Sequence, residues 1–181
     1  MNTLKTEGII LISKPFFEKD RMVDILTPEQ GKMRLLAKGA NSPKKNSFSA
    51  LQPTLHARFS LSPTKSFTFV NGTDALHSFP GIRDSFNKIS LACYFLEIAR
   101  KSTVYHQSHT RLFSLLLEVL LKLELGEDIL DKLLELKTHF QTQFLIAEGL
   151  LEENSPISDY SFKKSVESYC SQVILSPVFL T

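Results

Sequence analysis

Five cations crowd one short stretch of this chain. Lys32, Arg34, Lys38, Lys44 and Lys45 fall within the sixteen residues from Gln30 to Lys45, and that window holds no carboxylate. Average composition would place about two cations and about two acids there. Positive side chains at these spacings, without a nucleophile or general base among them, suit the neutralisation of phosphates rather than bond chemistry. Phe48 follows in an otherwise polar loop and is a candidate for stacking on a base, or for tucking into the fold. Arg58 lies farther on, within an alternating segment, and is the remaining candidate phosphate-binding cation.

The other chemically capable residues form weaker patterns. Gly39 to Lys45 has some look of a phosphate loop, but it lacks the second glycine and the Lys-Ser/Thr ending. His106 and His109 stand three apart with no third ligand nearby, so no metal site is expected. Glu18, Asp20 and Asp24 cluster in sequence and read as ion-pair partners for Lys19, Arg21 or the basic face. Cys93 and Cys170 form neither a CxxC nor a disulfide framework, and Cys93 is expected in a helix core. With no GxSxG or HExxH present, catalytic residues and cofactors are both expected to be none.

Two kinds of element must position these groups. Up to about residue 80 the pattern has period two. Gly8–Ile12 reads as a buried strand and Met22–Thr27 as a second. Pro28-Glu29-Gln30-Gly31 reads as a turn, with Lys32–Lys38 as a third strand placing Arg34, Leu36 and Lys38 on one face. Leu55–Leu61 alternates most clearly, with His56, Arg58 and Ser60 turned away from the apolar side. Ser66–Asn71 completes five strands without a helical pattern, which suggests a small barrel. After Phe79-Pro80-Gly81 the period becomes 3.6. Helices are expected from about Ile82 to Ser102, over Leu112–Leu123, from Asp128 to about Gly149, and from Ser158 or Asp159 towards Cys170. On the first helix, Phe86, Ile89, Cys93, Leu96 and Ala99/Arg100 form the expected apolar stripe.

Charge follows the same division. Residues 1–80 carry eleven Lys/Arg against six Asp/Glu, while residues 81–181 carry ten against thirteen. A basic first half beside an acidic second half is the pattern of a unit that faces a polyanion joined to one that does not. The apolar fraction of 43% supports a folded protein. The opening residues lack a signal-type apolar run and no stretch approaches the length of a membrane span, so a cytoplasmic protein without membrane contact is expected. The residues alone leave open a DNA-binding protein, a barrel that binds RNA, and a non-catalytic interaction adaptor.

Certain residues also resemble a known family. Glu18, Asp20, Arg21 and Val23, then Leu26, Thr27, Gly31 and Lys32, then Ala37 to Ala40, and then Leu51 to Pro53 resemble the bacterial RecO recombination mediators. Tyr94 to Glu97, Leu112 to Leu123, Phe144-Leu145 and Gly149-Leu150 are similar to its helical part more loosely. The resemblance implies an α+β protein of two domains, an oligonucleotide-binding barrel at 1–80 and an all-α helical domain at 81–181. It further implies binding of single- and double-stranded DNA, annealing of complementary strands and help in loading RecA in the RecF pathway. RecR and the single-stranded DNA-binding protein would be partners. The sequence departs from many members in having Asn41-Ser42 where arginine is common and no zinc-binding cysteines after Gly149. It is also short for the family.

Overall fold

The computed structural model describes residues 3–40, 51–152 and 158–170. Five strands build the first part: β1 Leu4–Phe16, β2 Asp20–Thr27, β3 Gly31–Ala37, β4 His56–Pro63 and β5 Thr68–His77. They close into a barrel in the order β1-β2-β3-β5-β4, with only the β3–β5 pair parallel. β1 is long because it serves two neighbours. Its first half pairs with β4 and its second half with β2, and a register shift between Ile10 and Ile12 marks the change. Such irregularities let one strand bend round a small barrel.

Alternation fills the interior. Ile10, Val23, Ile25, Met33, Leu35, Ala57, Phe59 and Leu61 form one buried cluster. Between β2 and β3, the Thr27 hydroxyl accepts from the Gln30 N–H at 3.1 Å and donates to the Gly31 carbonyl at 2.9 Å, which fixes the turn. His56, expected on the solvated side of its strand, is buried. Its Nε2 meets Glu7 Oε1 at 2.7 Å and its Nδ1 meets His77 Nδ1 at 2.9 Å. Burial, aided by the neighbouring His77, pushes the His56 pKa below the usual histidine value although Glu7 opposes this.

The barrel's compact unit is 1–78 together with 103–110, a return segment that the 3.6-residue pattern had grouped with the helices. The second unit takes in 79–102 and 111–181, within which α1 is Pro80–Arg83, α2 Phe86–Ser102, α4 Leu130–Ala147 and α5 Asp159–Cys170. α3, Thr110–Leu125, begins at the end of the return segment. Ser85 caps α2 through its hydroxyl to the Lys88 N–H, and Ser158 caps α5 through the Ser161 N–H. Lys88 answers the other end of a helix: its ammonium donates to the Gly126 carbonyl at 2.6 Å, just past α3, where the helix dipole favours a cation.

Rings dominate the helical core. Phe95 and Phe140 lie 4.5 Å apart, Phe140 and Phe144 6.2 Å, and Phe144 and Phe162 6.0 Å. The stripe expected on α2 is borne out at Leu96 and Ala99, which are buried, but not at Phe86 or Cys93. Phe86 is 79% exposed and Cys93 is exposed, while Leu91, Phe95 and Ile98 are buried. At 3.6 residues per turn those two sets lie on opposite sides of the helix. The side with Leu91, Phe95 and Ile98, flanked by Tyr94 and Ala99, offers the larger apolar surface and takes the core.

Candidate nucleic-acid interface

The strand register brings the outward side chains of β1, β2, β3 and β5 into rows. Ile12, Asp24 and Arg34 make one row, and Lys14, Met22, Leu36 and Phe69 the next. Phe16 sits opposite Asp20 at the end of the β1–β2 pair. Lys38 follows β3 at that same end. The alternate positions, Val23, Ile25, Met33 and Leu35, point into the core, so this outer face is fixed by the barrel packing itself.

At one end of the face the return segment lies across β3. The His106 N–H donates to the Lys32 carbonyl at 3.0 Å, and Thr110 Oγ1 donates to the Pro28 carbonyl at 2.8 Å. Gly31 has a φ of +64°, and a Cβ there would meet the Gln107 carbonyl oxygen at 1.6 Å. Only glycine meets both demands. Tyr105 is the hub of this contact. Its hydroxyl donates to Asp24 Oδ2 at 2.9 Å and also meets Arg34, while the Lys32 ammonium lies 4.6 Å from its ring centre. Arg34 closes a bidentate pair on Asp24 at 2.8 and 3.0 Å.

This network sets the charge states. Burial would push the Asp24 carboxyl up, but the bonds from Arg34 and Tyr105, with the charges of Arg34 and Lys32, together hold it below the usual aspartate value. Arg34 is correspondingly raised, first by its bond to Asp24. Lys32 itself is buried, with its ammonium donating to the Thr103 carbonyl.

The other end of the face has a different character. The β1–β2 and β4–β5 turns bring Phe16, Phe17, Phe67 and Phe69 together, with Phe16–Phe17 at 4.4 Å, Phe16–Phe67 at 6.4 Å and Phe67–Phe69 at 6.2 Å between ring centres. The Lys38 ammonium lies 4.6 Å from the Phe69 centre. Lys14, Lys19 and Lys65 are exposed nearby in the sequence of these turns and strands.

The candidates named from sequence therefore separate. Arg34 and Lys38 share the outer face, Arg34 engaged with Asp24 and Lys38 exposed beside an aromatic ring. Lys32 is engaged inside the contact with the return segment. Arg58 is exposed on β4, with Glu7 of β1 and Asp74 of β5 beside it in the register, so its charge has two acidic neighbours. Lys44, Lys45 and Phe48 lie outside the described residues.

Sequence reasoning missed the four phenylalanines and Tyr105. Phe67 and Phe69 did alternate with Thr68 and Val70, but Val70 took the core and left Phe69 outside. Two residues behind the family resemblance hold backbone here: Asp20 accepts from the Gly39 N–H at 2.8 Å, and Arg21 donates to the Ser13 carbonyl at 3.2 Å. Among the described residues, no group of three or more His, Cys, Asp or Glu is placed to hold a metal ion. No helix among them is long and apolar enough to cross a membrane.

A closed five-stranded barrel of this strand order, with a helical unit after it, defines an oligonucleotide-binding fold carrying an α-helical extension. Two family models match the chain, recombination protein O N terminal over residues 1–79 and recombination protein O C terminal over residues 83–139. The chain belongs to the recombination protein O family. Among curated relatives, the DNA repair protein RecO of Alkaliphilus metalliredigens is 33% identical over 137 residues, 74% of this chain and 56% of the relative. Those of Myxococcus xanthus and Bacillus subtilis are 32% identical over 128 residues and 30% over 124, covering 70% and 68% of this chain and 52% and 49% of the relatives. The chain thus spans about half the length of the curated relatives it matches.

Proposed function

We propose that this protein acts in DNA repair as a non-catalytic recombination mediator whose barrel binds DNA. The observation that carries the reading is the outer face of β1, β2, β3 and β5, where the exposed Lys14 and Lys38 stand beside the half-buried Met22 and Phe69. Cations beside apolar and aromatic surface on strands 2 and 3 of such a barrel suit a nucleic-acid strand. Neutralised phosphates let two complementary strands approach, so annealing needs charge screening and exposed bases but no bond chemistry. The family extends the proposal to single- and double-stranded DNA as ligands, to RecR and the single-stranded DNA-binding protein as partners, and to assistance in RecA loading. The division of labour is part of it: the barrel unit binds DNA and the helical unit docks partners. The helical unit has an open groove between α3 and α4 in which Leu123, Leu133 and Leu136 lie among Lys122, Lys132, His139, Glu127 and Glu135, with Lys132 paired to Glu127 and Lys122 to Glu118.

The test is salt-dependent binding of a labelled single-stranded oligonucleotide, followed by annealing of complementary strands. Replacing both Lys14 and Lys38 with Ala should make the log–log salt slope shallower by about 1.4, near 0.7 for each single-strand phosphate no longer neutralised. Affinity should fall alike for all sequences, because bonds to phosphate carry no base information. Both side chains are exposed, so stability should change little. An unchanged slope and affinity would remove this face from the proposal.

A further inference from the structure

We propose that Glu7, His56 and His77 form a one-proton latch that closes the end of the β4–β5 ladder at neutral pH and opens in acid. The three side chains come from three neighbouring strands. His56, buried on β4, presents Nε2 to Glu7 Oε1 of β1 at 2.7 Å and Nδ1 to His77 Nδ1 of β5 at 2.9 Å. The two imidazole planes lie within 5° of one another, with centres 5.2 Å apart. Rings stacked face to face keep their atoms about 3.5 Å apart or more, so nitrogens at 2.9 Å meet edge to edge in an N–H···N bond.

These bonds fix the protons. A carboxylate only accepts, so His56 Nε2 carries the hydrogen towards Glu7. In a neutral ring the other nitrogen is then the acceptor, and His77 Nδ1 donates to it. His77 is exposed and can take a further proton on Nε2 while its Nδ1–H still points at His56, which makes the bond a charge-assisted one. Within the pair, the next proton has only His56 Nδ1 to bind. It would set N–H against N–H and two cations side by side, so the rings must part to admit it. Burial of His56 and the neighbouring His77 oppose that proton, while Glu7 favours it.

The latch stands at a weak point of the sheet. His56 and His77 are the last pair of the β4–β5 ladder, and Leu76 is an extra residue between them and the next pair, Ala57 with Ala75. Such a bulge interrupts the backbone ladder, which leaves the side-chain bond as the tie for the end of β5. Ser78 follows, and there the chain leaves the barrel unit. On β1 the residue opposite His56 is the apolar Ile9. The charged groups of the adjoining row are Glu7, Arg58 and Asp74, side by side on β1, β4 and β5. Histidine is the side chain that ordinarily titrates between about pH 5 and 8, so the two rings set the response.

Once parted, both rings take protons near about pH 6.5, whereas the latched pair holds one proton fewer. The latch therefore keeps its full strength above that value and weakens as pH falls below it, opening about tenfold more for each pH unit until latched His56 itself takes the proton. The test follows the imidazole nitrogens of 15N-labelled protein by NMR from about pH 8 to about pH 5, with hydrogen exchange at the end of β5 measured against the unfolded-chain rate at each pH. At neutral pH the two Nδ1 nuclei should show a coupling through their hydrogen bond, with the His56 hydrogen on Nε2. In acid that coupling should vanish, and exchange protection should fall with it. His77→Asn separates the latch from the burial of His56, and His77 is exposed, so the core stays intact. An amide offers N–H to the neutral ring and, turned over, its carbonyl to the charged one, so this variant should keep its protection in acid. No coupling at neutral pH, protection that does not fall in acid, or an equal fall in His77→Asn would each overturn the latch.

Discussion

Asp24→Ala should destabilise the barrel by about 1.5 kcal/mol, the low end of the range for losing hydrogen bonds to a charged group. The low end applies because the partners differ in exposure: the Asp24 side chain is 5% exposed and that of Arg34 56%. Freed of Asp24, the guanidinium can turn to water. Lys32 cannot do so as readily, because it is buried beneath Tyr105 and loses a compensating charge. The Tyr105 hydroxyl loses its acceptor as well, so the return segment 103–110 should loosen at its centre. Urea unfolding at neutral pH measures the loss, and hydrogen exchange at the His106 N–H reports the segment. The pH dependence follows from the depressed Asp24 pKa. In the unfolded chain an aspartate titrates near about 3.9. Above that value the folded protein holds the full stabilisation, and as pH falls through it towards the lower folded pKa the stabilisation is lost. The gap between wild type and variant should therefore close below about pH 4. An undiminished gap in acid would mean that charge pairing is not its source.

Phe140→Ala should cost still more, about 3–5 kcal/mol. The side chain is fully buried, with Phe95 on one side and Phe144 on the other, and its removal leaves a void where three rings now touch in series. α2 and α4 meet through this ring pair, so the helices cannot close the gap without shifting Phe144 and, beyond it, Phe162. Phe140→Leu should recover much of the loss, since most of the volume returns. Equilibrium unfolding followed by far-UV circular dichroism reads both. A loss below about 1 kcal/mol for the alanine variant would show that the ring series is not the core of the helical unit.

Much of this architecture was legible in the residues, for reasons that also explain the gaps. β2 and β3 were found because each is an alternating segment bounded by turn residues. β1 and β5 were read too short, since Glu7, Lys14 and Pro15 interrupt the apolar run of one and Asn71 to Asp74 are polar in the other. Their length comes from pairing with two neighbours, which no local pattern records. The cations at 32, 34 and 38 were legible as a group but not as individuals. Whether a lysine faces water or a carbonyl depends on Thr103 and Tyr105, some 71 residues away. The phenylalanine cluster was hidden for a similar reason: Phe16 and Phe67 are adjacent only once β1 and β5 lie on the same barrel.

The central claim is that DNA lies across the outer face of β1, β2, β3 and β5, and amide chemical-shift mapping with unlabelled oligo(dT) tests it most directly. The expected shifts fall in Lys14–Met22, Arg34–Gly39 and Ser66–Phe69, and saturate together at one affinity. Shifts confined to the helical unit, or to the Glu7, Arg58 and Asp74 side of the barrel, would contradict the claim.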